Sequence, residues 1–236
     1  MRNAILGFMF GVVVVTPIAV VQAQAIGSSI QKGSRTVAQT TNNESPPHAT
    51  KGQAIVEGKV APANGPEEHF RNARESFLEK NVKAAAAEIR EGAAFLKLET
   101  SYATGEAREA LGASVGELER LAQGVEKGTV TSTQELRRAF ARADRALAEE
   151  HLQNAAESWS QKEIKKAGHE LNAAANDVDL ASAWAGRKLD AATAAAIKDA
   201  RAVGAKLTED AGWTTGEVSK ELDAVGKQIE KLGKQI

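Results

Sequence analysis

The feature that most constrains this chain is a helical spacing of apolar residues that runs through everything after Pro66, its last proline. Apolar or small side chains recur there at alternating intervals of four and three residues, which places them along one face of an α-helix. No segment alternates with the period of two that is typical of a strand. The sequence therefore predicts an all-α fold, a helical bundle, for residues 66–236. The two longest series are Val82, Ala86, Ile89, Ala93, Leu96 and Ala103, and Ile164, Gly168, Leu171, Ala175, Val178, Ser182 and Ala185.

Local motifs predict where several helices begin and end. A Ser or Thr followed three residues later by Glu is typical of a capping box, in which each residue satisfies a backbone N–H of the first turn. The clearest break between helices is GVEKGTVTST, residues 124–133. The three candidate capping boxes are Ser132 with Glu135, Ser160 with Glu163, and Thr214 with Glu217. The aromatic residues expected to provide much of the core are Phe77, Phe95, Phe140, Trp159 and Trp184.

One segment of the sequence occurs twice in similar form. HFRNARESF begins at His69, and HLQNAAESW begins 82 residues later at His151. Over the 32 aligned pairs from His69 to Thr100, 11 are identical, including His, Asn and Ser matches that an abundance of Ala and Glu does not explain. This predicts an internal duplication with a period of 82. We expect a first unit at 67–127 and a second at 131–209, each with a shorter helix, a tight turn, a longer helix and a third helix.

A separate C-terminal helix is predicted at 214–236. Its apolar residues keep the four–three spacing of a coiled-coil seam, and a second series of small residues at intervals of seven runs along one edge of the seam. Glycine is costly inside a helix, so this edge predicts a close neighbouring helix. That neighbour could belong to the same chain, to a second protomer or another envelope protein, or the helix could lie on a membrane surface. The predicted helix-contact residues are Val218, Leu222, Val225, Gly226, Ile229, Leu232, Gly233 and Ile236, and the small-residue series is Gly212, Ser219, Gly226 and Gly233.

The first 65 residues predict an exported protein. Arg2, the uncharged run at 4–21 and the small-x-small sequences ending at Ala23 and Ala25 form the three parts of a signal peptide, 1–25. The alternative is an uncleaved anchor, because the run approaches the ~20 residues that span a bilayer. Residues 26–65 are polar and predict a flexible, disordered linker. The chain has no cysteine, which a lipoprotein would need, and a bacterial periplasm fits best.

Motifs for catalysis are missing from the sequence, so we do not expect an enzyme or a bound cofactor. HELNA at His169 lacks the second histidine of the zinc-protease motif, and no phosphate-binding glycine loop or nucleophile elbow occurs. Acidic and basic residues are interspersed, and the net charge is −1, which argues against nucleic-acid binding. No apolar stretch after the signal peptide is long enough to span a membrane.

The histidines leave two interpretations open. His69 and His151 occupy equivalent positions in the two units, and with His169 they could bind a metal or haem through neutral imidazole. The alternative is that each begins a helix and packs against the turn of its own hairpin.

Two segments, ARESFLEKNVKAAAAEI and AAESWSQKEIKKAGHEL, are similar to the YfdX family of periplasmic helical proteins. The hairpin at 77–96 also resembles a tetratricopeptide hairpin, although the period is 82 and not 34. The YfdX resemblance implies a periplasmic, non-enzymatic helical protein linked to envelope stress. We therefore expect a protein-interaction or envelope-stress module that binds other envelope proteins or itself through helices, with a metal- or haem-binding bundle as the alternative.

Overall fold

The computed structural model describes residues 65–236, so the predicted signal peptide and the predicted linker up to residue 64 lie outside the described residues. The described part contains seven α-helices and no strand, which confirms the predicted all-α bundle. The helices are α1 (Pro66–Leu78), α2 (Val82–Tyr102), α3 (Gly105–Glu126), α4 (Thr133–Ser160), α5 (Ile164–Trp184), α6 (Ala191–Thr208) and α7 (Thr215–Gly233).

The helices form two consecutive four-helix bundles that share the long helix α4. The first half of α4 packs with α1 and α3, and α2 completes the first bundle. Helix α5 packs along α4, and its last residue, Trp184, reaches the first core. Helices α6 and α7 complete the second bundle. Each bundle has its own hydrophobic core. The division falls between Leu147, the last α4 residue of the first core, and Ala148, the first α4 residue of the second. The 28-residue helix therefore contributes to two cores.

Backbone geometry reproduces the 82-residue duplication. Helices α2 and α5 begin and end 82 residues apart and are both 21 residues long. Helices α3 and α6 end 82 residues apart, and α4 and α7 begin 82 residues apart. The turn that precedes α2 has Lys80 at φ 62°, and the turn that precedes α5 has Lys162 at φ 63°. A left-handed lysine is uncommon, so its recurrence at equivalent positions supports one ancestral unit.

The structure differs from the predicted pair of units in one respect, because α4 is a fusion of two repeat elements. Its first half is the fourth helix of repeat one, and its second half is the first helix of repeat two. The first helix of the second unit is therefore part of the longest helix, not a shorter one, and His151 lies inside α4 and does not begin a helix. Helix α7 is the fourth helix of repeat two. The capping motifs at Ser132 and Thr214 are also 82 residues apart, a signal that could have shown this.

Two of the three predicted N-cap residues cap a helix in the structure. Thr214 and Glu217 form a complete capping box at α7. The Ser132 side chain accepts a hydrogen bond from Gln134 N at the start of α4. The third prediction is wrong. Ser160 is the last residue of α4, and the N-cap of α5 is Glu163, because the left-handed Lys162 delays the start of the helix.

The aromatic centre of the first bundle is a stack that the sequence analysis only partly found. The rings of Phe70 and Phe140 are both fully buried and stack with centroids 4.4 Å apart. Trp184 meets Phe140 edge-on at 5.1 Å. Gly92 makes room for Phe70, since a Cβ there would lie 2.5 Å from the ring. Phe70 was missed as an anchor. The other expected anchors, Phe77, Phe95, Trp159 and Trp184, are only partly buried and pack at the edges of the cores.

Candidate functional site

Two of the three candidate histidines pair with a carboxylate on the following helix. His69, on α1, places Nδ1 2.8 Å from Glu88 Oε2 of α2. His151, on α4, places Nδ1 2.6 Å from Asp177 Oδ2 of α5. The two pairs are not repeat equivalents, because the residue 82 positions before Asp177 is Phe95. His169 is exposed on α5. His69 and His151 therefore pair with carboxylates on neighbouring helices, and not with the turns of their own hairpins as one interpretation expected.

Residues 65–236 contain no group of three or more His, Asp or Glu side chains arranged to hold a metal ion. Each paired histidine has its Nδ1 held by a carboxylate, which fixes the orientation of the ring. The hypothesis of a haem or metal site through His69, His151 and His169 stays a hypothesis, and the structure places the first two on the different helices α1 and α4.

A cluster of buried acidic residues surrounds His151. Asp144 and Glu150 on α4 are each 1% exposed, and Asp177 lies against them on α5. The His151 Nε2 atom is 3.5 Å from Glu150 Oε2. Asp144 Oδ2 is buried and has no hydrogen-bond partner. This cluster was not predicted from the sequence. An available signal was that Asp144 and His151 continue the four–three spacing of Phe140 and Leu147, so that polar residues fall on an apolar helix face.

The net pKa shifts of Asp144, His151 and Asp177 are all upward. Burial raises the pKa of Asp144 well above its usual range, and the negative charges of Asp177 and Glu67 raise it further. Burial by itself lowers the pKa of His151, but the Asp177 carboxylate outweighs this, and the pKa rises to about 9. Burial also raises the pKa of Asp177, partly offset by His151. The cluster therefore keeps its protons to a higher pH than the unfolded chain does.

We expect the protein to lose stability at alkaline pH through this cluster. The folded pKa of His151 is about 9, above its unfolded value of 6.5. Its contribution is therefore complete below pH 6.5 and lost as pH rises through the folded value, by up to about 3 kcal/mol. Ionisation of Asp144 acts in the same direction. Urea unfolding between pH 6 and pH 10 should show this fall, and His151→Gln should make it smaller. His169→Gln, on an exposed side chain, should follow the wild type. An unchanged fall in His151→Gln would contradict the assignment.

The predicted contact face of the C-terminal helix packs inside its own chain. Val218, Val225 and Ile229 are buried in the second core, which α7 closes against α4, α5 and α6. Leu232 is buried, and Leu222 is half-buried against the same core. Ile236 lies beyond the end of α7, where its carbonyl accepts a hydrogen bond from Arg142 of α4. Of the three alternatives that the sequence left open for this face, the structure shows packing within the same chain.

Of the predicted small-residue edge, Gly226 and Gly233 face helix α4, whereas Ser219 is exposed. A Cβ on Gly226 would lie 3.4 Å from Leu152, and one on Gly233 would lie 2.8 Å from Arg145. Both glycines line a groove of about 570 Å³ between α3, α4 and α7. Gly212 is not part of this edge, because it precedes the helix with φ 71°. The close neighbour that the glycines predicted is therefore α4.

Exposed apolar side chains gather at the α1–α2 turn. In the described part of the chain the exposed large apolar residues are Leu78, Val82 and Tyr102, with 56%, 37% and 54% of their surface accessible. Leu78 ends α1 and Val82 begins α2, so only the turn separates them. Phe77 is partly buried beside them, against the first core. We call Phe77, Leu78 and Val82 the turn patch. From the sequence, Phe77 was expected in the core, and Leu78 and Val82 were not predicted to be exposed.

Comparison with known proteins found no matching family model, no matching curated protein and no matching solved structure. Within residues 65–236, no helix combines the length and the apolar character that crossing a bilayer requires.

Proposed function

We propose that this chain is an exported periplasmic, non-enzymatic helical protein that binds other envelope proteins as an interaction or envelope-stress module. The observation that supports it best is the turn patch. Leu78 and Val82 are exposed at one hairpin turn. The other large aliphatic residues within residues 65–236 are buried or partly buried. Apolar side chains that are exposed next to one another and rimmed by polar residues are a feature of contact surfaces for other proteins.

The position of the patch favours recognition over a structural role. It lies on a turn between two well-packed helices, and rigid elements present contact residues at low entropic cost. Export is supported by the signal-peptide pattern at 1–25 and predicts a mature protein that begins at Gln24 or Ile26. Mass spectrometry of the protein from osmotic-shock fluid measures this directly, and an intact Met1 on membrane-bound protein would contradict export with cleavage.

Site-specific photo-cross-linking tests the interaction. A photo-reactive amino acid is placed at Leu78, and in a control chain at Ser160, which is the repeat-equivalent position and is also exposed. Irradiation of intact cells should join an envelope protein to position 78 at least about tenfold more than to position 160, since hot spots of binding are local. Equal products at both positions, or products only within the same chain, would contradict the proposed function.

The metal- or haem-binding alternative rests on the two histidine–carboxylate pairs, since a carboxylate on Nδ1 is a common support for a ligating imidazole. Purified protein would then show bound metal or a Soret band. Double substitution of His69 and His151 by alanine would remove it.

A further inference from the structure

In the second repeat, the positions that correspond to the turn patch are Trp159, Ser160 and Ile164. There an aromatic ring from another segment packs on Trp159. Trp159 stands at the position of Phe77, and Ile164 at the position of Val82. Both are partly buried and pack against the second core. Trp213, from the connection between α6 and α7, meets Trp159 edge-on with ring centroids 5.3 Å apart and an angle of 84°. This is a favourable geometry for two aromatic rings.

The connection that provides Trp213 has a counterpart of the same length in the first repeat. Residues 209–214 join α6 to α7, and residues 127–132 join α3 to α4. Both turn through a left-handed residue at the same place, Gly128 at φ 67° and Asp210 at φ 54°. The two connections then diverge, because Gly212 is also left-handed, at φ 71°, whereas its counterpart Val130 is not. In the sequence alignment, the residue that corresponds to Trp213 is Thr131.

Thr131 cannot cover the turn patch as Trp213 covers its equivalent. It is exposed, and its side chain has no ring. Its neighbour Val130 packs toward the end of α3, where a Cβ on Gly124 would lie 2.8 Å from Val130 Cγ2. Val82 is 37% exposed in the first repeat, whereas its counterpart Ile164 is partly buried against the second core.

We infer that the turn patch is a binding site for a tryptophan side chain of a partner polypeptide, which there takes the place that Trp213 holds in the second repeat. This inference rests on the proposed function and names the chemistry that the partner presents. An indole buries a large apolar area at a low cost in conformational entropy, and tryptophan is enriched among residues that dominate binding. The exposed Glu79, Lys80 and Lys83 around the patch provide a polar rim.

A peptide that copies the natural covering segment tests the site. The probe is DAGWTTGE, residues 210–217 of this chain, labelled with a dye, and the control peptide replaces its tryptophan by alanine. Fluorescence anisotropy with the mature wild-type protein should show saturable binding of the tryptophan peptide only. Leu78→Asp should weaken binding at least tenfold, whereas Ser160→Asp, the same change at the repeat-equivalent position, should leave it unchanged. Equal binding of both peptides, or unchanged binding by Leu78→Asp, would overturn the inference.

A second variant gives the first repeat its own tryptophan. Thr131→Trp puts a tryptophan at the sequence position that corresponds to Trp213. The indole should pack on Phe77, so the melting temperature should rise and peptide binding should fall at least tenfold. Because this variant gains stability, its loss of binding cannot come from misfolding. Full peptide binding by a folded Thr131→Trp protein would overturn the inference.

The experiments distinguish a failure of the tryptophan-site inference from a failure of the proposed function. A cross-linked partner at position 78 together with no binding of the tryptophan peptide overturns the inference and leaves the proposed function standing. Peptide binding together with no partner in cells supports the tryptophan site and counts against the proposed function. A wild-type dimer that Leu78→Asp dissociates would make a second copy the occupant and would overturn a separate partner.

Discussion

Replacing Phe140 with alanine is expected to lower the free energy of unfolding by about 3–5 kcal/mol, the largest effect of any single truncation that we predict. The ring is fully buried, stacks on Phe70 at 4.4 Å and receives the edge of Trp184 at 5.1 Å. Its removal leaves a cavity between α1, α4 and α5, and two further rings lose their contacts. Urea unfolding followed by circular dichroism measures the loss.

The repeat provides a matched control for Phe140. Leu222 is 82 residues further along, on α7, and is only half-buried against the second core. Leu222→Ala should therefore cost less, about 1–2 kcal/mol, since it removes a smaller and partly hydrated side chain. If Phe140→Ala cost less than Leu222→Ala, the aromatic stack would not be the centre of the first bundle.

Gly168→Ala is expected to destabilise the protein by about 2–3 kcal/mol, although alanine favours a helix over glycine by about 1 kcal/mol. The new Cβ would lie 2.6 Å from the backbone oxygen of Gly204 and 2.9 Å from the backbone nitrogen of Thr208. Backbone atoms cannot rotate away as a side chain can, so α5 and α6 would have to separate. Thermal unfolding measures the change.

Alanine substitutions at two other glycines distinguish the effect of helix propensity on stability from the effect of steric crowding. A Cβ on Gly226 would make only an ordinary contact, 3.4 Å from Leu152, so Gly226→Ala should stabilise α7 by about 0.5–1 kcal/mol. A Cβ on Gly204 would meet the side chain of Asn172, which can move, so Gly204→Ala should cost less than Gly168→Ala. Equal effects at Gly168 and Gly226 would show that α5 and α6 can move apart freely.

In the first repeat, α2 crosses α3 with different residues at the positions that correspond to Gly168 and Gly204. Ala86 and Ala122 stand where Gly168 and Gly204 stand in the second repeat, and both alanines are fully buried. In the second repeat, Gly168 leaves room for the backbone of α6 at Gly204 and Thr208. The sequence places Gly168 on the apolar face of its helix, but only the packed structure shows that the backbone of α6 lies directly opposite.

Several features of the fold follow from the sequence alone because they depend on neighbours along the chain. The all-α class and the break before α4 come from the apolar spacing and from a turn-rich segment. The complete cap at Thr214 and Glu217 depends on residues three positions apart. The duplication is also visible in the sequence, since His69 and His151 begin two similar segments.

Contacts between distant helices were decided only by the tertiary structure. The sequence predicted a close partner for α7 but left its origin open, and packing made it α4, α5 and α6 of the same chain. It showed Asp144, His151 and Asp177 as separate polar residues, and the approach of α5 to α4 made them one buried cluster. It showed Phe77 and Trp159 as equivalents, but the side chain of Trp213 covers only one of them. Helical spacing determines which face a residue occupies, and the approach of another helix, distant in sequence, determines what that face meets.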